Sequence, residues 1–139
     1  MAKNKRSGED RPRIVFLDLD PNIRQVITAI QAKGYTVSPV IEVGDAIRLA
    51  QAESVVLVIH LANKNEFSKL DLIMAALVNK PTKVIVTLDQ GNYKELRDRC
   101  LRAGAAEVLR KPYDAKGLLM LFAGIATAPP HKPKVIHCG

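Results

Sequence analysis

A chain of 139 residues, 47% hydrophobic but only 4% aromatic, fits one domain with a core built mainly from Val, Ile, Leu and Ala. Its two cysteines, Cys100 and Cys138, lie far apart behind no signal-like N-terminus, which argues against a disulfide scaffold or a secreted protein. The net charge of +7 raises nucleic-acid binding, but residues 1–13 hold +3 of it and residues 127–139 hold +2, which leaves the middle nearly balanced. Both end segments, polar or Pro-rich and poor in core formers, are expected to be solvated tails over 1–12 and 128–139 around a domain spanning 13–127. The longest apolar run, Leu118 to Ala126, is too short for the ~20 residues of a transmembrane helix, so a soluble, cytoplasmic protein is expected.

Between the tails, apolar runs alternate with amphipathic stretches. Residues 13–19 (RIVFLDL) predict a buried strand closed by Asp20, Pro21 and Asn22. Ile23, Val26, Ile27 and Ile30 then recur at helical spacing, and Gly34 stands where that helix stops. Residues 35–41 predict the second strand and 45–51 the second helix. The almost wholly apolar run 55–61 (VVLVIHL) reads as a central strand buried on both faces. Residues 70–78 predict the third helix, 83–88 (KVIVTL) the fourth strand, 93–103 the fourth helix ended by Gly104, 107–110 the fifth strand and 115–126 the last helix. Fivefold strand–helix alternation implies right-handed crossovers and a doubly wound, five-stranded parallel sheet covered by about five helices.

In such a sheet the working site lies outside the carboxyl ends of the strands. The residues there are Asp18 and Asp20 after the first strand, His60 ending the third, Thr87 to Asp89 after the fourth, and Lys111 after the fifth.

Two segments carry a family resemblance. LDLDPNIR at 17–24 is similar to the acidic turn that opens a two-component response-regulator receiver domain, and AGAAEVLRKPYD at 103–114 resembles that family's AGADDYLTKPFD segment. The likeness runs from about Arg13 to Ala126 and implies the flavodoxin-like receiver topology of the chemotaxis type. In that family an acidic cluster holds Mg²⁺ beside an aspartate that accepts a phosphoryl group, while a Thr or Ser and a Lys bind the phosphate oxygens, so cations offset the developing negative charge.

The resemblance implies roles position by position, and several positions depart from it. Asp18 matches the first acidic residue, Leu19 replaces the second, Asp20 matches the acidic residue that often follows, and Lys111 matches the family lysine. His60 stands at the phosphoacceptor position; it precedes Lys111 by 51 residues, close to the family separation, and the nearest downstream aspartate, Asp71, falls inside the next helix. Asp89 occupies the Thr/Ser position without a gap, and Thr87 takes it with a two-residue shift. Val108 replaces the switching aromatic, and Leu61-Ala62-Asn63-Lys64 replaces the family's Met-Pro-Gly turn. A degenerate, phosphorylation-independent receiver, with neither metal nor cofactor, is therefore expected.

Three readings of His60 stay open. It fills the pocket and pairs with Asp18, Asp20 or neighbours of Lys111; it senses pH or a metal; or it accepts phosphate itself. Lys111, without a phosphate to bind, could simply pair with Asp18. Catalysis is not expected, because Ser54, Ser68, Cys100 and Cys138 lie in no nucleophile motif and no Gly-rich phosphate loop occurs.

With the site silent, function is expected on a surface. Residues 118–126 (LLMLFAGIA) contain no polar side chain, although a helix on one face of a sheet should turn a polar stripe outward. A partner protein or a second copy of the chain is expected on the fourth-helix to fifth-helix face, the face that receiver domains use, through Arg97, Arg99, Arg102, Leu118, Leu119, Leu121 and Phe122. The competing cover for this helix is the C-terminal tail, through Val135 and Ile136. The remaining alternatives are a receiver phosphorylated at a nonstandard residue and a basic nucleic-acid-associated protein that uses its tails.

Overall fold

The computed structural model describes residues 11–80 and 82–127, the last three of these by backbone only. All but Arg11 and Pro12 of the two expected tails therefore lies outside the described residues. Five strands, β1 (Arg13–Leu17), β2 (Val37–Val40), β3 (Val55–Leu61), β4 (Lys83–Leu88) and β5 (Glu107–Arg110), form one parallel sheet in the order β2-β1-β3-β4-β5. Five helices connect or follow them: α1 (Ile23–Ala32), α2 (Val43–Ala52), α3 (Phe67–Ala76), α4 (Gln90–Ala103) and α5 (Ala115–Thr127). None of the described helices is long and apolar enough to cross a membrane.

The period-two alternation of strand side chains divides the core between the two faces. Val15, Leu57, Ile59, Val86 and Val108 point to the face covered by α2, α3 and α4, whereas Ile14, Phe16, Val56, Val58 and Ile85 meet Ile27 and Ile30 of α1 and Leu118 and Phe122 of α5. β3 lies at the centre with every residue buried except His60, as expected for a strand covered on both sides.

The expected bounds of β3, β4 and β5 agree with the structure, and others move for local reasons. Tyr35 stays out of β2, its ring 5.5 Å from that of Phe122, and Ile41 lies beyond the strand, 69% exposed. A 3-10 turn, Lys64–Glu66, precedes α3: the Asn63 side chain accepts from Asn65 N–H at 2.8 Å, and the apolar anchor Phe67 then opens the helix earlier than predicted. Helix α4 likewise starts at Gln90, three residues early, because Asp89 takes the extended N-cap backbone. It ends, as expected, at Gly104, whose φ of +117° suits glycine.

Candidate functional site

The side chains that converge at the carboxyl edge of the sheet do so by parity. Asp18 continues the Ile14–Phe16 series, His60 the Val56–Val58 series, and Thr87 follows Ile85. All three lie on the α1/α5 side of their strands, and the strand register pairs His60 with Thr87. Lys111 leaves β5 just past Arg110, where its N–H donates to Leu88 O at 2.8 Å, and its peptide bond to Pro112 is cis. The result is a cleft of about 380 Å³ whose lining includes Asp18, Asp20, His60, Glu66, Asp89 and Lys111, with the exposed side chains of Leu19 and Ile41 at its lip.

The floor of the cleft is an ion cluster. Lys111 Nζ lies 2.9 Å from Asp18 Oδ2 and 3.1 Å from Asp20 Oδ2, with the Lys111 side chain 14% exposed and that of Asp18 only 1%. Asp18 Oδ2 has no hydrogen-bond partner, so its contact with the ammonium is ionic and poorly angled. The other Asp18 oxygen, Oδ1, accepts from Asp20 N–H at 3.0 Å, and Asp20 Oδ1 accepts from Asn22 N–H at 3.0 Å, so consecutive side-chain turns fix the β1–α1 loop. The Asn22 amide, then Lys111, hold the Asp20 carboxyl below its ordinary range. Lys111 thus pairs with both Asp18 and Asp20.

His60 pairs with neither Asp18 nor Asp20, two of the partners that its pocket-filling reading names. Its Nδ1 lies 3.0 Å from both the carbonyl oxygen and Oγ1 of Thr87, and its Nε2 lies 3.5 Å from Asp89 Oδ1. The reason is the strand register, which sets the imidazole beside β4 and the residue that follows it, while Lys111 already holds the two aspartates of the β1–α1 loop. Thr87 is fully buried in β4 beside the ring, and Asp89 stands half exposed at the entry to α4. Both candidates for the Thr/Ser position therefore touch His60. Val108 is buried in β5 on the opposite face of the sheet and does not line the cleft.

Several cleft residues were not anticipated. Burial pushes the Glu66 carboxyl up, but Ala62 N–H at 2.7 Å and the ammonium of Lys69 at 3.3 Å outweigh it and leave the group below its ordinary range. Asn92, in the first turn of α4, donates to Ala62 O at 2.6 Å and ties the β3–α3 loop to that helix. The signals available in the sequence were the i, i+3 spacing of Glu66 and Lys69 and a second amide close behind Asp89.

The residues present do not fit the Mg²⁺ site that the resemblance implies. An ammonium lies against both acidic side chains, the side chain at the end of β3 is an imidazole, and among the described residues no three His, Cys, Asp or Glu side chains are arranged to hold a metal ion.

The expected interface residues divide. Leu118 and Phe122, four apart on α5, form its inward stripe, 0% and 2% exposed, and belong to the core rather than to an interface. Arg99 stacks its guanidinium 3.8 Å from the Phe67 ring centroid, on the α3 side of α4, and Arg102 is exposed in the last turn of the same helix. Leu119 and Leu121 are half-buried, and Met120 turns outward at 67% exposure, so the helix does present apolar surface away from the sheet. Arg97 pairs with Asp98, and Arg110 of β5 lies over the Tyr93 ring of α4 at 5.0 Å.

No family model and no curated protein matches the chain. Solved structures do. The signal receiver domain of the LuxO repressor protein from Vibrio parahaemolyticus superposes with a TM-score of 0.68 at 21% identity, over 84% of this chain and 90% of that one. The Francisella response regulator 1452 receiver domain gives 0.68 at 20% identity, over 84% and 97%. A response regulator from Burkholderia pseudomallei, whose structure holds a phosphorylated aspartic acid, a calcium ion and citrate, gives 0.63 at 18% identity, over 84% and 69%. The fold is that of response-regulator receiver domains.

Proposed function

We propose that this chain is a pseudo-receiver, a cytoplasmic interaction module of two-component or phosphorelay-type signalling that works without aspartyl phosphorylation. The observation that carries this reading is the imidazole of His60 at the carboxyl end of β3, bound to Thr87, beside a Lys111 already held by two carboxylates. A receiver that takes up a phosphoryl group needs an acceptor carboxylate beside a cation-binding shell; here the side chain at the end of β3 is an imidazole, and the two aspartates of the β1–α1 loop are paired with Lys111, which supports the reading. The contrast is with the Burkholderia structure, which holds its phosphorylated aspartic acid in the same fold. The output is a surface: the α4–β5–α5 face, where Met120 lies open and Arg97 and Arg110 are ordered by Asp98 and Tyr93, meets a signalling partner or a second copy. The module has no catalytic role.

Incubation with a small phosphodonor and Mg²⁺, followed by intact-mass measurement, tests the reading. An unchanged mass is expected, and a stable phosphoryl increment on the wild type would overturn it.

A further inference from the structure

The geometry around His60 points to a proton-operated clasp, and we propose that the cleft reads the protonation state of His60 and passes it to the start of α4. The inference rests on the preceding reading, that no phosphoryl group is taken up at this position.

Consider first what each ring nitrogen faces. On the Nδ1 side the Thr87 carbonyl oxygen, 3.0 Å away, only accepts, and the Thr87 hydroxyl has Ile59 O within 3.5 Å as an outlet for its own proton. Both arrangements ask Nδ1 to donate. On the Nε2 side the facing atom is an oxygen of the Asp89 carboxylate, which when ionised also only accepts. A neutral imidazole has one N–H and one lone pair, so it serves one side and sets a lone pair against the other. Only the imidazolium donates to both.

Asp89 has a second place to go. It is the N-cap residue of α4, with extended backbone (φ −69°, ψ 153°) and a side chain well suited to capping, yet its carboxylate makes no capping hydrogen bond and faces the His60 ring instead. The competing seat is the helix N-terminus at the amides of Gln90 and Gly91, the Asn92 N–H being already on Asp89 O at 3.0 Å. The carboxylate therefore has two positions: on a protonated His60, or on the helix N-terminus once the ring is neutral. Asn92, in that same turn, holds Ala62 O, so the choice is felt in the β3–α3 loop as well.

The other charges around the ring are already matched. Asp18 and Asp20, from the β1–α1 loop, are held by Lys111 from the end of β5; Glu66 and Lys69, at the start of α3, hold each other, with the ammonium 3.5 Å from His60 O. Among the described residues Asp89 is the one carboxylate within 4.0 Å of a His60 ring nitrogen.

Nitrogen NMR of the full chain between about pH 5 and 8, the range in which histidine charge changes ordinarily fall, tests this without any phosphodonor or metal. Both ring nitrogens should be protonated at the acid end, and the amides of Gln90, Gly91, Asn92 and Ala62 should move in step with the ring. His60→Gln should abolish that movement, and Asp89→Asn should leave the ring titrating while the amides no longer follow. A wild-type ring that titrates with silent amides, or amides that move equally in His60→Gln, would overturn the clasp. If His60→Gln does not fold, the wild type and Asp89→Asn decide alone. Failure of the phosphorylation-independent reading shows separately, as added mass.

Discussion

The ammonium of Lys111 sits 2.9 Å from an Asp18 oxygen that has no hydrogen-bond partner, inside a side chain only 1% exposed. Removing one member of such a pair strands the other charge away from water. Lys111→Met should therefore cost roughly 3–5 kcal/mol in urea unfolding. Asp18→Asn added to Lys111→Met should recover part of that loss, since the amide oxygen still accepts from Asp20 N–H while the stranded charge is gone. Lys94→Met, at an exposed site where no carboxylate pairs with it among the described residues, serves as the control and should have little effect. Equal costs for the two lysines would show that the pair is not the anchor of the loop.

The acid limb of stability should depend on the same loop. The Asp20 carboxyl is held below its ordinary value near 3.8 by the Asn22 amide and Lys111, so its contribution is fully present above that value and is lost as pH falls through the depressed one. Glu66, also lowered, acts in the same direction. Thermal unfolding followed from pH 6 to pH 2 should show a decline confined to the region below about pH 5, and Asp20→Asn should shrink it and leave the part that Glu66 supplies. A decline centred near neutrality in both proteins would assign acid sensitivity to other groups.

The β-strand pattern made much of this legible before any coordinates. The bounds of β3, β4 and β5 follow from apolar runs, and His60 and Lys111 at their carboxyl ends fall in the cleft, with Thr87 buried beside the His60 ring, because a parallel sheet brings strand ends to one edge. The partner of His60 was less legible, because sequence spacing orders strands without saying which loop bends over which side chain; Asp89 reaches the ring through the turn into α4, and Asp18 and Asp20 do not. The direction of Arg99 was hidden for a similar reason. Its rotation about α4 is fixed by contact with Phe67 of α3, a helix whose early start the weakly periodic run FSKLDLIMAA concealed. On α5, an unbroken apolar run told that some side chain must face outward but not which; packing against the sheet chose Leu118 and Phe122 as the inward pair and left Met120 open.

That choice makes the interface testable with two substitutions on one helix. Leu118 is fully buried, so Leu118→Ala should lower stability by about 2–5 kcal/mol whatever the oligomeric state. Met120, 67% exposed, contributes little to the fold, so Met120→Lys should leave the unfolding midpoint nearly unchanged. If the α4–β5–α5 face joins two copies, burying Met120 with its half-buried neighbours Leu119 and Leu121 would contribute roughly 1.5–3 kcal/mol for each side chain fully covered, enough for a weak dimer once association entropy is subtracted. The wild type should then sediment as a concentration-dependent dimer, and Met120→Lys should sediment as a folded monomer. Arg97→Glu, on the flank of the same face, should shift the dimer's salt dependence rather than its existence. A wild type that stays monomeric at high concentration rules out self-association and leaves a different protein as the partner; a dimer that survives Met120→Lys unchanged moves the contact off α5.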